Sequence, residues 1–349
     1  MEGMTQRSIH NLMASKLLAV FLMITFLSAC SGTAKGTATA SVPAAATVTS
    51  QPTMAPSPTA EPDRAVLVAP ADANAQQVQQ TSDLIKSRIG SLAFETRPAI
   101  QAADIKPGWK LVVFLSPPDN LKDLVAAAPA TQFIAISAVD VDKAANLSVV
   151  RVRPEMQAFA AGYMSVLISD DWRAGGLLTN DTPAGTKLQE AFQNGGHYLC
   201  GICNSVYGPA TRFPVSAALP SSSAVTAWQA AFDGLMKSVL YVVYVTPEAS
   251  DPQLLAYLIT QKVVLIGGQT PPPEAQSRWG ATVRLDSLTP LGDLVTAALK
   301  GKGGTVVNAP VQILDVQAQF FTPGRQLLVQ KMLADLKDGW IDPLSVPAQ

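Results

Sequence analysis

Two cysteines and one histidine are the side chains best suited to chemistry, and they share one short segment. Cys200 and Cys203 are separated by two residues, and His197 precedes them. This spacing is found in dithiol redox sites, where a helix N-terminus lowers the pKa of the first thiol. The residues that follow, from Asn204 to Pro209, are instead typical of a loop. A local structural disulfide, a pair of free thiols and a redox site all stay open; an oxidising compartment favours the disulfide.

His197 has the chemistry of a general base. Gly195 and Gly196 come directly before it, a pattern that also fits the end of a helix, where a cationic histidine would suit the helix dipole. No nucleophile–base pair stands out. The segment 301–304 lacks the Lys-Ser/Thr of a phosphate-binding loop, and 265–268 lacks the third glycine of a dinucleotide-binding fingerprint. The sequence therefore predicts no catalytic residues, no enzyme activity and no cofactor.

The third cysteine, Cys30, follows an N-terminal signal. Basic residues precede a short apolar run at 17–27, which is too short for a stable membrane span. The segment Leu27-Ser-Ala-Cys30 resembles the lipobox of bacterial lipoproteins. This resemblance implies cleavage before Cys30 and its acylation, palmitate included. It places the protein on the extracytoplasmic face of the cell membrane; the alternative is an ordinary signal peptide with an incidental cysteine.

Residues 1–29 are thus predicted to be a lipoprotein signal peptide, and residues 30–63 a disordered tether. The tether is dominated by Ser, Thr, Ala, Gly and Pro, with a Pro-Thr-rich stretch at 51–61. Such a composition buries too little apolar surface to offset the entropy of ordering the chain. We expect it to hold a folded domain off the membrane.

The composition of the remaining chain predicts a well-buried folded body. About 290 residues remain, enough for a two-lobed unit. Apolar residues make up 48% of the sequence, charged residues make up 15%, and the formal net charge is −1. No cluster of Lys and Arg stands out, which argues against nucleic-acid binding. After the signal, His197 is the only histidine, which excludes a multi-histidine metal site. We expect a monomer.

Apolar, β-branched runs alternate with amphipathic segments along this body. Runs that are buried on both faces and separated by helices are typical of parallel βαβ sheets. We therefore predict an α/β fold with two doubly wound parallel-sheet lobes. Lobe 1 comprises 64–170 with about 278–310, and lobe 2 comprises 171–277 with about 311–345. The predicted strands are 65–69, 91–95, 110–115, 131–137, 148–152, 174–179, 215–218, 239–245 and 263–266. The predicted helices are 74–89, 120–128, 154–168, 183–194, 223–237, 252–260, 288–299 and 324–336.

Four segments of the body resemble one protein family. They are Phe159-Ala-Ala-Gly-Tyr-Met164, Arg173-Ala-Gly-Gly-Leu-Leu178, 225–235 and Lys337-Asp-Gly-Trp-Ile-Asp-Pro343. In order and spacing they are similar to the basic membrane lipoprotein (PnrA-like) family of ABC transporter substrate-binding proteins. The resemblance implies a periplasmic-binding-protein type 1-like fold, a nucleoside-type ligand and an ABC permease as partner. The chain departs from the family after its first strand, where 70–76 lacks the family's Ser-Phe-Asn-like segment and its aromatic contact.

Candidate ligand-binding residues follow from the predicted architecture. Ligands of doubly wound sheets bind beyond the carboxyl ends of the strands. Asp suits sugar diols, and Asn or Gln suits a base or an amide. For each residue the alternative is a helix cap, an interpretation that fits Asp119 and Asp181 well. Tyr207, Phe213 and Trp228 could supply an aromatic face, although the helical spacing of Trp228 favours core packing. The predicted ligand-binding residues are Asp72, Ser116, Asp140, Asn180, Asp181, Thr246, Glu248, Gln269 and Asp286.

The sequence therefore predicts a membrane-anchored binding protein that captures a small polar ligand, a nucleoside being one candidate, by closure of its two lobes. By resemblance, it hands that ligand to an ABC importer. The alternative is a sensor or envelope scaffold lipoprotein with a degenerate cleft.

Overall fold

The computed structural model describes residues 62–345. The predicted signal peptide, Cys30 and nearly all of the predicted tether lie outside this range. The twelve strands are β1 (Arg64–Val68), β2 (Ala93–Arg97), β3 (Trp109–Phe114), β4 (Gln132–Ser137), β5 (Leu147–Arg151), β6 (Ala174–Thr179), β7 (Val215–Leu219), β8 (Val242–Val245), β9 (Val264–Gly267), β10 (Trp279–Leu285), β11 (Val306–Asn308) and β12 (Val311–Leu314). The eight α-helices of residues 62–345 are α1 (Ala75–Arg88), α2 (Leu121–Ala127), α3 (Pro154–Ile168), α4 (Lys187–Cys200), α5 (Val225–Met236), α6 (Pro252–Thr260), α7 (Leu288–Ala298) and α8 (Pro323–Lys337).

The first lobe is built on a parallel sheet with strand order β2-β1-β3-β4-β5-β11. Successive residues of a strand point to opposite faces, so the two-sided apolar runs feed two cores. Leu67 and Leu111 face α1 and α7, whereas Val66 and Val112 face α2. Helices on both faces confirm the predicted doubly wound arrangement.

The second lobe has the strand order β7-β6-β8-β9-β10-β12. Its first five strands are parallel, as predicted. β12 instead pairs antiparallel with β10, with Val283 opposite Ile313. The chain crosses between the lobes repeatedly, because β10 and β12 belong to the second sheet and β11, between them, belongs to the first.

The lobe boundary that the sequence predicted at about 278 placed residues 278–285 in the first lobe. The structure instead places β10, which spans these residues, in the second sheet. The α3 helix also packs into the core of the second lobe, although it precedes residue 170. Both assignments depend on contacts between distant segments, which a local sequence pattern does not encode.

Close packing of α3 on α4 explains Gly195, one of the two glycines that the sequence had linked to a helix end, and its counterpart Gly162 on α3. A Cβ on Gly195 would lie 1.9 Å from the carbonyl oxygen of Phe159, and one on Gly162 would lie 1.9 Å from that of Phe192. Gly195 and Gly196 therefore lie inside α4, which runs to Cys200 rather than ending at Asn194. The prediction that they form the end of the helix was wrong.

The three buried apolar clusters consist of residues between Ala65 and Ile341. Both sheets are also complete within this range, and the chain from Pro58 onward forms one compact unit. A chain that begins at Pro58 therefore contains every core element of the described residues, which is what independent folding requires. Within 62–345, no helix is long and apolar enough to span a bilayer.

Candidate functional site

Two cavities lie where the carboxyl ends of the strands of the two lobes face one another. The first, which we call the hydroxyl cavity, has a volume of about 200 Å³. Its lining includes Ala138 after β4, Thr182 after β6, and Tyr244, Thr246 and Glu248 at the end of β8. The second, which we call the amide cavity, has a volume of about 340 Å³. It is lined by Asn74, Gln76, Gln77, Gln80, Gly268, Gln269, Thr270 and Arg284.

Two threonine hydroxyls in the hydroxyl cavity lack a protein partner. The backbone of Thr246 is used, since its N–H donates to the carbonyl of Leu177 at 3.1 Å and its own carbonyl accepts from Ser250 Oγ at 2.8 Å. Its side-chain Oγ1, in a residue only 3% exposed, has no hydrogen-bond partner among the described residues, and neither has Thr182 Oγ1. A buried hydroxyl without a partner costs about 1–3 kcal/mol. Both groups can therefore bind a polar solute that enters the cavity.

Gln157 and Tyr244 fix the floor of the hydroxyl cavity. The Gln157 carboxamide donates to Tyr244 Oη at 3.2 Å and to the carbonyl of Val283 at 2.9 Å. The Tyr244 ring stacks on Phe192, with centroids 5.8 Å apart. Burial raises the pKa of Tyr244 above its ordinary value, and the charge of Glu248 adds to this rise. The phenol thus stays protonated and can donate a hydrogen bond to a solute.

Glu248 lies at the rim of the same cavity. Its side chain keeps an exposed portion, but crowding by protein atoms raises the pKa of the carboxyl by desolvation. The negative charge of Asp181 raises this pKa further. Glu248 therefore holds its proton to a higher pH than an ordinary glutamate, and the carboxylate that remains once the proton is lost accepts hydrogen bonds.

Most of the side chains that line the amide cavity are carboxamides, which both donate and accept. Its first-lobe wall is the start of α1, where Asn74 Oδ1 accepts from the backbone N–H of Gln77 at 3.1 Å. Its second-lobe wall includes Gln269, whose carboxamide donates to the carbonyl of Ser250 at 2.9 Å, and the guanidinium of Arg284. Carboxamides and a guanidinium suit polar groups such as ring nitrogens, carbonyls and hydroxyls.

The structure brings three of the predicted ligand-binding residues to these cavities: Thr246 and Glu248 to the hydroxyl cavity, and Gln269 to the amide cavity. Asp72 and Ser116 are exposed and line neither. Asp140 lines a separate cavity of about 580 Å³ within the first lobe, together with Asp119, and pairs with Arg151 at 3.1 Å.

The remaining predicted residues are held by protein groups. Asp286 Oδ1 accepts from the first backbone N–H groups of α7, and its Oδ2 accepts from Gln312 at 2.6 Å. Asp181 accepts from the backbone N–H and hydroxyl of Ser221, which lowers the pKa of Asp181. Asn180 donates to the carbonyl of Ala218 at 3.4 Å.

The aromatic candidates lie away from both cavities. Trp228 is 2% exposed in the core of the second lobe, as its helical spacing suggested. Phe213 is buried beneath the guanidinium of Arg173, 5.8 Å from its ring centroid, and Tyr207 lies near the same guanidinium. These contacts place Tyr207 and Phe213 at the amino ends of the strands, opposite the cavities.

His197 and the cysteines also lie outside the cavities. Burial lowers the pKa of His197, and nearby Arg212 lowers it further. A cationic histidine at the end of α4 is therefore disfavoured, contrary to the expectation from the helix dipole. Cys200 and Cys203 are joined as a disulfide, with Cα atoms 5.3 Å apart.

Sequence reasoning missed Gln157, Tyr244, Thr182 and the carboxamides of α1. One signal was available for Gln157, since it is a polar residue within the predominantly apolar helix 154–168. The three glutamines of the amide cavity lie within the segment 76–80, whose amide-rich composition was also visible.

No protein-family model matches the sequence, and no curated protein is significantly similar to it. Solved structures do match. An ABC transporter solute-binding protein from Conexibacter woesei is 14% identical, covering 81% of this chain and 98% of its own, with a TM-score of 0.57. One from Aeropyrum pernix is 12% identical, covering 83% and 94%, with a TM-score of 0.59. A transcriptional activator of the comK gene from Bacillus halodurans is 11% identical, covering 82% and 100%, with a TM-score of 0.61.

Identities this low show the fold alone, and that fold serves both solute-binding proteins and transcription regulators. Each of these three neighbours is matched over 94% or more of its own length, so the likeness includes both lobes. The chain therefore has the two-lobed periplasmic-binding-protein type 1 fold found in solute-binding proteins of ABC transporters.

Proposed function

We propose that this protein is a membrane-anchored solute-binding lipoprotein of an ABC importer, which captures a small polar solute between its two lobes. Cys30 carries the lipid on the extracytoplasmic face, and residues 30–63 form the tether. The proposal draws on the lipobox-like segment of the sequence and on the fold shared with solute-binding proteins.

The observation that carries the binding role is the pair of unpartnered hydroxyls of Thr182 and Thr246 in the hydroxyl cavity. A solute that pairs with them offsets their desolvation cost. Because residues of both lobes line each cavity, such a solute binds the closed arrangement best and shifts the population towards it.

A nucleoside is the first solute class to test. Its sugar hydroxyls suit Thr182 and Thr246, and the edge of its base suits the carboxamides of the amide cavity. Simple sugars share the first of these features and amino acids share the polar backbone groups, so both classes belong in the same screen.

The second candidate is a sensor or envelope scaffold with a degenerate cleft. It is favoured by the engagement of Asp140, Asp181 and Asp286 with protein groups rather than with open space. A scaffold does not need the unpartnered hydroxyls, so solute binding separates the two candidates.

Thermal unfolding of the chain from Pro58 onward, in panels of nucleosides, sugars and amino acids, tests the binding role. A solute at about 100 times its Kd stabilises the protein by roughly 2.7 kcal/mol. Thr246→Val should weaken that stabilisation, and Thr260→Val, an exposed threonine at the end of α6, should leave it unchanged. No shift with any nucleoside rejects that solute class; no shift with any solute favours the scaffold.

Lipid attachment is tested in cells expressing the whole chain. Labelled palmitate should be incorporated into the protein, and Cys30→Ala should abolish the label and leave the uncleaved precursor. Cys203→Ala is the matched control, since Cys203 lies within the folded body. Palmitate labelling that persists in the Cys30→Ala variant would contradict the proposed anchor.

A further inference from the structure

Six exposed apolar side chains gather at the amino edge of the second sheet, opposite the cavities. Single exposed apolar residues are ordinary on protein surfaces, but a contiguous group marks an interaction site. They lie in segments that precede β6, β7 and β8, and we call them the aromatic edge. Its members, with their exposed fractions, are Trp172 (38%), Ile202 (45%), Val206 (79%), Tyr207 (75%), Val239 (43%) and Tyr241 (45%).

The most exposed pair lies at the tip of a short finger, residues 203–213. Asn204 and Arg212 form an antiparallel bridge across it, and Phe213 N–H donates to the carbonyl of Cys203 at 3.1 Å. The Cys200–Cys203 disulfide ties its base to the end of α4. The cysteine pair thus braces a loop that presents Val206 and Tyr207 outward.

Neighbouring charged side chains satisfy the backbone of the fingertip. The Asp171 carboxylate accepts from the backbone N–H of Val206 at 2.6 Å and of Tyr207 at 3.3 Å. The buried Arg173 guanidinium donates to the carbonyls of Tyr207 and Gly208 and pairs with Asp171 at 3.1 Å. These bonds leave the tip with apolar side chains outside and paired polar groups inside. A surface that enters an apolar medium requires such pairing, because no water is there to replace it.

The same interactions hold the other segments of the edge in place. Arg173 also donates to the carbonyl of Ser238 at 2.8 Å, and its own carbonyl accepts from the N–H of Tyr241 at 2.8 Å. Trp172 and Val239 have left-handed backbones, with φ of 62° and 55°, a conformation that is unfavourable for a β-branched residue such as Val. Strained residues of this kind persist where the surroundings fix them, and they concentrate at functional surfaces.

Four cations lie at the amino edge of the same sheet as the aromatic edge. They lie in segments that lead into β7, β8, β9 and β10, and they are Arg212, Lys237, Lys262 and Arg278. Besides the paired Asp171, three acids lie in or beside these segments, namely Asp170, Asp233 and Glu274. Asp170 is exposed, and Asp233 accepts a hydrogen bond from Tyr257. The edge thus has an apolar, aromatic centre and a charged rim in which the cations outnumber the acids by one.

We propose that the aromatic edge is a membrane-contact surface for bilayers that contain anionic lipids. Tyr and Trp favour the headgroup level of a bilayer, and surface cations are attracted to anionic headgroups. An acidic protein partner would also pair with the cations of the rim. Its binding, however, would not require that the backbone groups of the fingertip be hydrogen-bonded to Asp171 and Arg173. Because the edge lies opposite the cavities, lipid contact leaves the cleft between the lobes open.

Vesicle co-sedimentation of the chain from Pro58 onward tests the surface without the lipid anchor. The wild-type chain should bind vesicles of phosphatidylcholine and phosphatidylglycerol and should bind pure phosphatidylcholine much more weakly. The double substitution Val206→Ser and Tyr207→Ser should lower the partition coefficient at least about tenfold. Lys237→Gln and Lys262→Gln should each lower it about fivefold, an effect that salt removes. Trp340→Ala, which removes an aromatic side chain that is 82% exposed elsewhere, is the control and should leave it unchanged.

Three results would overturn the proposal. One is no binding of the wild-type chain to anionic vesicles; another is equal binding by the fingertip variant and the wild-type chain. The third is a dimer in sedimentation that the fingertip variant abolishes, which would show that a second copy covers the edge. Unfolding curves confirm that the variants are folded. Solute stabilisation of the fingertip variant should equal that of the wild-type chain, which keeps this test separate from the proposed transport role.

Discussion

The two edges of the second sheet differ in whether their buried polar groups have hydrogen-bond partners within the protein. At the carboxyl edge, the cavity surface is concave, and the hydroxyls of Thr182 and Thr246 are buried without protein partners. At the amino edge, the surface carries exposed aromatic side chains, and Asp171 and Arg173 pair with the backbone beneath them.

This difference indicates what each edge contacts. An unpartnered buried hydroxyl is unfavourable until a polar molecule reaches it, so the carboxyl edge suits a small polar solute. An exposed apolar side chain over a paired backbone is unfavourable in water, so the amino edge suits an apolar medium. One sheet thus supports two separate contacts, and substitutions can affect each one alone.

The largest expected effect comes from Arg173, whose guanidinium organises the amino edge. Arg173→Met removes its pairing with Asp171 and with three backbone carbonyls, and the free energy of unfolding should fall by about 3–5 kcal/mol. Urea unfolding of the chain from Pro58 onward measures this loss. Lys237→Met, an exposed cation on the same edge, should change stability by less than about 0.5 kcal/mol. Equal effects of the two substitutions would show that Arg173 does not organise the edge.

The Cys200–Cys203 disulfide should have the next largest effect. Closing so short a loop contributes about 2 kcal/mol in the chain-entropy model, so Cys200→Ser should lower the free energy of unfolding by about that amount. Reducing agent should lower the stability of the wild-type chain equally and should leave Cys200→Ser unchanged. Solute binding at the carboxyl edge should persist in both cases. A wild-type chain insensitive to reductant would mean that the cysteines are free thiols.

Two buried threonines should respond with opposite signs. Thr282 Oγ1 accepts from Trp279 Nε1 at 2.9 Å and bonds to Asp315 at 2.7 Å, so Thr282→Val should destabilise the protein by about 1 kcal/mol. Thr246→Val removes a hydroxyl without a partner and should stabilise the empty protein by about 1 kcal/mol while weakening solute binding. Urea unfolding without solute compares the two. A loss of stability in Thr246→Val would show that its hydroxyl is already satisfied.

Local patterns predicted much of the fold. The helices 154–168 and 252–260 agree with α3 and α6 at both ends, because a proline at the first turn marks where each begins. The strands β10, β11 and β12 were missed. The short β11 and β12 flank Ala309-Pro310, and their sheet membership depends on pairing with β5 and β10. Such long-range pairing leaves little trace in a local pattern.

The candidate site was less predictable for a related reason. A carboxylate after a strand looks the same in a sequence whether it faces a cavity or caps a helix. Asp286 caps α7 and binds Gln312, 26 residues away, whereas Glu248 remains at a cavity rim. Gln157 reaches the site because α3 packs against the second lobe, a contact that the sequence boundary at 170 concealed.

The smallest expected effect is a pH dependence in which two neighbouring carboxyls oppose each other. Desolvation raises the pKa of Glu248 above its ordinary 4.5, so the folded state holds its proton longer than the unfolded state. Stability should therefore fall as pH rises from 4.5 through the raised value, and Glu248→Gln should remove that slope. Hydrogen bonds from Ser221 lower the pKa of Asp181 below its ordinary 3.8, so its stabilisation is present above 3.8 and is lost as pH falls through the lowered value.

Because the charge of Asp181 helps to raise the pKa of Glu248, Asp181→Asn should weaken both slopes. Urea unfolding across this pH range measures all three chains, with Glu190→Gln on α4 as the matched control for the loss of one negative charge. A Glu248→Gln variant that keeps the wild-type slope above pH 4.5 would show that the rim of the hydroxyl cavity is as well hydrated as an open surface. The unpartnered hydroxyls of Thr182 and Thr246 would then be the remaining evidence that the carboxyl edge differs from the amino edge.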